Sequence, residues 1–426
     1  MPLNFRALLC LATLPFGTTH AQPDPAPFPT LPSIKGLQVQ MTDDALKLNM
    51  HHAAINVSLG ALMDLEKKAG NPRWICEGEE FSFNADYARS LDAQIKPLSD
   101  AGIVIYAILL AYPTKQKDKD SILVHPKARE DYKYNIAAFN TGTPAGTRWF
   151  RAVTEFLAAR WNGKTNGRVW GWIVGNEVNS HWMWYNLGQC SLEDAASEHE
   201  KAMRIAYESV TKAAVNARVY LSLDHHWRAS MGGVSAQEAT PGRDFLDTFA
   251  RLARERGDFG WQVAHHPYPE DLGNPRVWLD KNVTTDDDSP KVTFKNLEVL
   301  CRHLRKPELL YQGKPRRIIL SEQGFHTLLT ADGEQLQAAA YAYAWEKCRR
   351  LPLIDAFIYH RHVDHAHEGG LRLGLWRNAP ESISTPHSQK MIYPLFVKAG
   401  TPAWNEAAAF ALPMAGLASW DELKGE

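Results

Sequence analysis

The sequence predicts an α/β fold, a (β/α)8 barrel with long βα loops over its C-terminal face, on three observations. Short runs rich in β-branched and aromatic residues alternate with longer helical patterns, the signature of a parallel sheet built from βα units. The alternation repeats about eight times along the 426 residues. No G-x-G-x-x-G turn follows any strand-like run, although an open doubly wound sheet that binds a nucleotide usually carries one. Length alone leaves the domain count open, because α/β barrels of more than about 250 residues occur as single units.

The elements follow in order. Residues Met1 to Ala21 carry one basic residue, Arg6, then an apolar run from Ala7 to Phe16 and a polar end, which reads as a signal peptide and an exported, periplasmic or secreted, protein. Cys10 lies inside the apolar run, where it fits a lipoprotein cleavage site poorly. Residues 22–33 are rich in Pro and read as a linker, with the barrel occupying 34–426. Strands are expected at Ile34 to Gln40, Ala53 to Leu59, Ile103 to Leu110, Val169 to Gly175, Val219 to Leu223, Trp261 to His265, Arg317 to Leu320 and Ala356 to Tyr359. Helices are expected at Tyr87 to Ala101, Trp149 to Trp161, Leu192 to Val215, Asp244 to Arg256, Phe294 to Leu304 and Gly333 to Arg350. Three stretches interrupt the alternation after strands 2, 3 and 6: Pro72 to Asn84, Pro113 to Gly146 and Leu272 to Pro290. In a barrel they would crown the C-terminal face, as lids or subsite walls.

Composition narrows the function. Lys and Arg number 47 against 48 Asp and Glu, so no basic field exists to hold a phosphate backbone and nucleic acid is not an expected partner. Beyond the N-terminal segment no run approaches the 18 or so apolar residues of a membrane span. The 14 Trp and 17 His exceed what a core needs, and aromatic platforms of this kind commonly hold sugars. Cys76, Cys190, Cys301 and Cys348 are too widely spaced for a zinc ribbon and too few for a disulfide scaffold, although one or two disulfides are compatible with them.

The strongest local signal is Trp170-Gly171-Trp172-Ile173-Val174-Gly175-Asn176-Glu177, an apolar strand that ends in a carboxylate. Arg317-Ile318-Ile319-Leu320-Ser321-Glu322 repeats the form. By count these are strands 4 and 7, roughly opposite each other across the mouth of an eight-stranded barrel. One strand-end Glu is often the buried partner of an arginine; two at corresponding ends suggest chemistry. Glycoside hydrolysis needs two carboxyl groups facing one anomeric carbon, one to protonate the leaving oxygen and one to attack or to activate water. Glu177, beside tryptophans and the Asn176 amide, suits the acid/base, and Glu322 the nucleophile.

With these motifs in place, the chain resembles the clan A superfamily of retaining glycoside hydrolases, the 4/7 barrels, and Gly175-Asn176-Glu177 and Ser321-Glu322-Gln323-Gly324 are similar to its two signatures. From about Ile34 to Gly400 it is also similar to uncharacterised, glycosidase-like families grouped with that clan. The resemblance implies that Asn176 hydrogen-bonds a substrate 2-hydroxyl, that Glu177 is the acid/base and that Glu322 is the nucleophile. It also implies a Tyr after strand 6 that hydrogen-bonds the nucleophile, and His265-His266-Pro267-Tyr268 stands there, making Tyr268 and His266 candidates. A Trp near the end of strand 8 often floors the sugar site; Trp376 is the candidate, although Arg361 to Leu375 separate it from Tyr359. The usual arginine on strand 2 is missing, Asn56 being the nearest polar residue.

Trp182, in His181-Trp182-Met183-Trp184-Tyr185, and His226, in His225-His226-Trp227, are further candidates for the cleft wall. Histidines also gather at His51-His52 and from His360 to His367, which raises the alternative of a metal-dependent hydrolase. An amidohydrolase barrel would place His-x-His on strand 1, and Gly36-Leu37-Gln38-Val39-Gln40 departs from that; His360-Arg361-His362 still has the donors for zinc with Asp364, its two rings sharing a face if the segment is a strand. Neither Ser222 nor Ser321 lies in a G-x-S-x-G elbow, which disfavours an esterase. The reading is therefore a retaining glycoside hydrolase acting on an oligo- or polysaccharide with no cofactor and no metal. A non-catalytic glycan-binding barrel is the other alternative. Sugar identity, linkage, exo or endo action and oligomeric state stay open.

Overall fold

The computed structural model describes residues 22–130, 136–423 and 425. The expected signal peptide lies outside them. Eight parallel strands close into a barrel: β1 (Lys35–Gln38), β2 (His52–Ser58), β3 (Val104–Leu110), β4 (Val169–Val174), β5 (Arg218–Leu223), β6 (Trp261–His265), β7 (Ile318–Leu320) and β8 (Ile354–Tyr359). Each pairs with its neighbours in sequence, and Gly36 of β1 lies between Ile358 of β8 and His52 of β2 where the sheet closes. The (β/α)8 barrel expected from the alternation is the observed fold.

Main outer helices are α1 (Ala85–Asp100), α2 (Pro144–Arg160), α3 (Leu192–Ala213), α4 (Gly242–Glu255), α5 (Glu298–His303) and α6 (Gly333–Cys348). Their starts reflect local chemistry. Asn84, Thr143 and Ser191 each accept a backbone N–H from the first turn of α1, α2 and α3, satisfying donors that have no partner inside the helix.

Both faces of the sheet are buried, so its strands read as nearly continuous apolar runs. Ala54, Tyr106, Ile108, Ile173, Tyr220, Ala264, Ile319, Ala356 and Ile358 fill the lumen, while the alternate residues join the outer core under the helices. Gly171 makes room for a lumen ring, since a Cβ there would sit 2.2 Å from Cδ1 of Tyr106. Residues 22–33, expected as a linker, pack against this barrel. The Asp24 N–H donates to the Ala213 carbonyl at 2.9 Å, Phe28 meets Trp170 edge-on at 5.7 Å beneath the Arg218 guanidinium, and Phe28 and Leu31 contact the lumen cluster.

The interrupting stretches have different fates. Residues 72–84 form a hairpin, Arg73–Cys76 with Glu79–Ser82, that lies along α2 through Trp74, Phe83 and Phe156. Leu272 to Pro290 is pinned down: the Trp227 indole N–H and Arg243 both donate to the Asp287 carbonyl, and Lys306 pairs with the Asp287 carboxylate at 3.0 Å. Residues 113–146 contain the short helix Lys117–Leu123. The four cysteines are buried free thiols, without a disulfide among them. No described helix is long and apolar enough to cross a membrane.

Candidate active site

Towards the C-terminal end of the strands the lumen turns from apolar to polar, with Ser222 after Tyr220, His266 after Ala264, Ser321 after Ile319 and His360 after Ile358, each two residues further along the inward-facing row. The two glutamates sit on this layer. Past β4, Gly175 (φ +81°) and Glu177 (φ +43°) both take left-handed conformations. A Cβ at Gly175 would also lie 2.8 Å from the Tyr185 ring, so the position admits only glycine. For Glu177 the left-handed region costs about 1 kcal/mol or more and needs outside support. That support is β5: the Glu177 N–H donates to Ser222 Oγ at 3.0 Å, and the Val178 N–H to the Ser222 carbonyl at 3.0 Å.

The Glu177 carboxyl is buried and shares a hydrogen bond of 2.9 Å with His266 Nδ1. His266 Nε2 lies 3.0 Å from Ser321 Oγ, immediately before Glu322. Burial raises the Glu177 pKa above the ordinary carboxylate value, and the charges of Asp224 and Glu322 add to it, while His266 opposes. His266 is itself raised: burial disfavours its charge, but the bond to Glu177 and the charges of Glu322, Glu177 and Asp224 outweigh it. The pair is therefore built to hold a proton between them.

Glu322 has a different environment. It is half-buried, and its Oε1 accepts the Tyr268 hydroxyl at 3.3 Å. Burial, then the charges of Glu322, Glu368 and Glu177, push the Tyr268 phenol well above its ordinary value, so it stays a donor. Neither glutamate pairs with an arginine among the described residues, which removes the salt-bridge explanation for the strand-end carboxylates.

The other sequence candidates divide. Asn176 is buried beside Glu177, and its amide makes no hydrogen bond among the described residues. His226 Nδ1 faces the buried Asp224 at 3.1 Å. Trp182 has one indole face covered by the Arg129 guanidinium, 3.3 Å from the ring centroid, so a sugar would have to meet the opposite face. Trp376 bonds Asp44 through Nε1 at 3.1 Å, beside Tyr393 and His362, which also bond that carboxylate. None of its hydrogen bonds reaches the glutamates, and the residue that follows β8 at the mouth is His360.

Several residues around the site went unread in the sequence. Tyr112, after β3, has its phenol pushed up to about 12 by burial and the neighbouring Glu322 charge. It obeys the same strand-end logic as the glutamates and was findable by it. Glu368 is a third carboxylate, held down to about 2 although burial works against its charge, because His360 lies 3.2 Å away and Arg361 pairs with it. Gln38 joins this group through His360 and donates to Asn56 at 2.9 Å. Asn56 thus sits where the clan's arginine was missing, and it bonds a glutamine.

The His360-Arg361-His362 stretch is not the ligand pair that strand geometry would make. β8 ends at Tyr359, so the rings diverge: His360 turns to Gln38 and Glu368, and His362 to Asp44 at 2.9 Å, while Asp364 holds Lys390 at 2.7 Å. No group of three or more His, Cys, Asp or Glu side chains among the described residues is arranged to hold a metal ion.

Residues 27–423 match a family described as a family of unknown function, DUF5722. The chain belongs to that family. No curated protein matches this DUF5722 member in sequence. In structure it resembles glycoside hydrolases of clan A. A family 39 glycoside hydrolase from the gut symbiont Bacteroides cellulosilyticus WH2 superimposes with a TM-score of 0.54 at 13% identity, over 87% of this chain and 64% of that one. The hyperthermophilic β-glucosidase from Pyrococcus furiosus gives 0.52 at 14% identity, over 88% and 86%. The family 1 β-glucosidase from Thermotoga maritima gives 0.50 at 11%, over 84% and 85%. At these identities the likeness is one of fold, and the DUF5722 chain spans under two thirds of the family 39 enzyme.

Proposed function

We propose that this protein is a retaining glycoside hydrolase that cleaves O-glycosidic bonds of an oligo- or polysaccharide and acts after export. The observation that carries the proposal is the pairing of two unlike carboxyl groups from the ends of β4 and β7. Glu177 is proton-retaining, buried on His266, and Glu322 is supported by the hydroxyl of Tyr268. In the first step Glu322 attacks the anomeric carbon and Glu177 gives its proton to the leaving oxygen, so the glycosidic bond breaks as the glycosyl-enzyme bond forms. In the second, Glu177, now ionised, takes a proton from water as that water displaces Glu322, restoring both groups. The unpaired Asn176 amide lies beside Glu177, where a sugar hydroxyl would arrive.

The test is covalent trapping. A 2-deoxy-2-fluoro glycoside with an activated leaving group should inactivate the enzyme and leave its sugar on the peptide containing Glu322. Glu177→Ala should lose far more activity on substrates with poor leaving groups than on activated aryl glycosides, with azide restoring the latter. Equal losses on both would remove Glu177 from the acid role, and label on another residue would remove Glu322.

A further inference from the structure

Resting on that reading of Glu177, we propose that Asp224 is a positioning residue for the acid/base, a buried anion after β5 that clamps the Glu177 turn and places a negative charge behind it. The side chain is 4% exposed, and an isolated buried carboxylate is costly unless donors surround it. Asp224 has several. Oδ1 accepts Asn179 Nδ2 at 2.9 Å and the His226 N–H at 2.8 Å, Oδ2 accepts the Ser180 hydroxyl at 2.5 Å, and His226 Nδ1 stands 3.1 Å from Oδ2. Asp224 returns a bond, its own N–H donating to Asn179 Oδ1 at 3.1 Å.

Those partners are the reason for assigning the role. Asn179 and Ser180 are the second and third residues after Glu177, whose left-handed backbone needs holding from outside. With Ser222 fixing the N–H groups of Glu177 and Val178, the end of β5 grips the turn at four successive residues, 177 to 180. The Thr240 N–H, donating to the Asn179 carbonyl at 2.8 Å, ties the rest of the β5 loop to the same point.

The charge has its own effect. Burial opposes ionisation of Asp224, but His226, His225 and the Ser180 hydroxyl outweigh it and hold the carboxyl below the usual range. Glu177 is faced by Asp224 from β5, His266 from β6 and Glu322 from β7. Asp224 is faced by His226 and His225 from its own loop, and its charge is felt by His265 and His266 on β6. A fixed anion behind Glu177 favours its protonated form, and the hydrogen bond from His266 favours the ionised one. The acid is thus set between two neighbours of opposite effect.

The test is the titration of Glu177 itself, followed by 13C NMR on glutamate-labelled full-length protein and assigned by the resonance lost in Glu177→Gln. Asp224→Asn keeps the shape and an acceptor oxygen for Asn179 and removes the charge. The Glu177 midpoint should fall by about half to one pH unit, the scale of one like charge nearby, and the alkaline limb of kcat/KM should fall with it. Ser180→Ala removes one bond of the clamp and leaves the charge, and should lower kcat on substrates with poor leaving groups about threefold or more. A Glu177 midpoint that is unmoved or raised in Asp224→Asn overturns the inference. If the midpoint falls but no glycoside is turned over by the wild type, the positioning stands and the glycosidase reading fails; turnover with an unmoved midpoint sinks the positioning alone.

Discussion

Replacing His266 is the sharpest test of how Glu177, the proposed acid/base, is tuned. His266→Ala deletes the 2.9 Å bond to Glu177 and the 3.0 Å bond to Ser321 in a fully buried place. A hydrogen bond to a charged group contributes about 1.5–3 kcal/mol, and one pKa unit corresponds to about 1.4 kcal/mol. Because that bond favours ionised Glu177, its loss should move the Glu177 pKa up by about 1–2 units, the opposite direction to Asp224→Asn. The acid step then persists to higher pH, so the alkaline limb of kcat/KM moves up. The second step needs ionised Glu177 as base, so kcat for an activated aryl glycoside at neutral pH should fall about 10–100-fold, with the glycosyl-enzyme accumulating. The assay is a pH profile of both constants, combined with mass spectrometry of the quenched enzyme. An alkaline limb that stays put or moves down, in a variant that melts cooperatively, would refute the assignment of His266 as the group controlling this proton.

Tyr268→Phe removes the only hydrogen-bond donor to the Glu322 carboxyl among the described residues and should cut kcat about 10-fold or more, with the melting temperature little changed; undiminished turnover would separate Tyr268 from the proposed nucleophile. Glu368 is held to about 2, so its ion pairing stabilises the fold fully above an unfolded value of about 4.3 and is lost as pH falls between the two. Glu368→Gln should accordingly flatten the acid side of a melting temperature against pH curve over that window, and an unchanged curve would contradict the pairing with His360 and Arg361. Gly171→Ala pushes a methyl into the Tyr106 ring and should cost about 1–3 kcal/mol in thermal or denaturant unfolding; a neutral effect would mean that the lumen is looser than the geometry indicates. If the proposed glycosidase reading holds, dialysis against a chelator should leave glycoside turnover intact, whereas a loss restored by stoichiometric zinc would favour the metal-dependent alternative.

Much of this molecule was legible in the linear sequence, for a physical reason. A parallel sheet buried on both faces must be written as uninterrupted apolar runs, and each run must stop where the chain meets solvent or a site. The eight strands were therefore readable to within a few residues, and so were the two glutamates, because a carboxylate at the end of an apolar strand is conspicuous. Tyr268 and His266 entered as candidates through the resemblance to the 4/7 barrels, from their place after strand 6. What sequence could not supply was partnership, which depends on which strand ends the barrel brings together. It was closure that put His266, after β6, between Glu177 and Ser321, turned His360 and His362 apart, covered one face of Trp182 with Arg129 and gave Trp376 its bond to Asp44. Glu368 has no linear signature, since it ends no apolar run, whereas Asp224 directly follows the apolar run Val219 to Leu223 and was findable by the strand-end argument although it went unread. The Asp224 donors Asn179 and Ser180 lie 45 and 44 residues away along the chain, while Glu368 is met by His360 and Arg361 from its own loop. The sequence by itself determined the barrel and singled out the two strand-end carboxyl groups, both written in local periodicity; the tertiary structure alone decided which groups surround each of them, because electrostatics depends on distance in space rather than on distance along the chain.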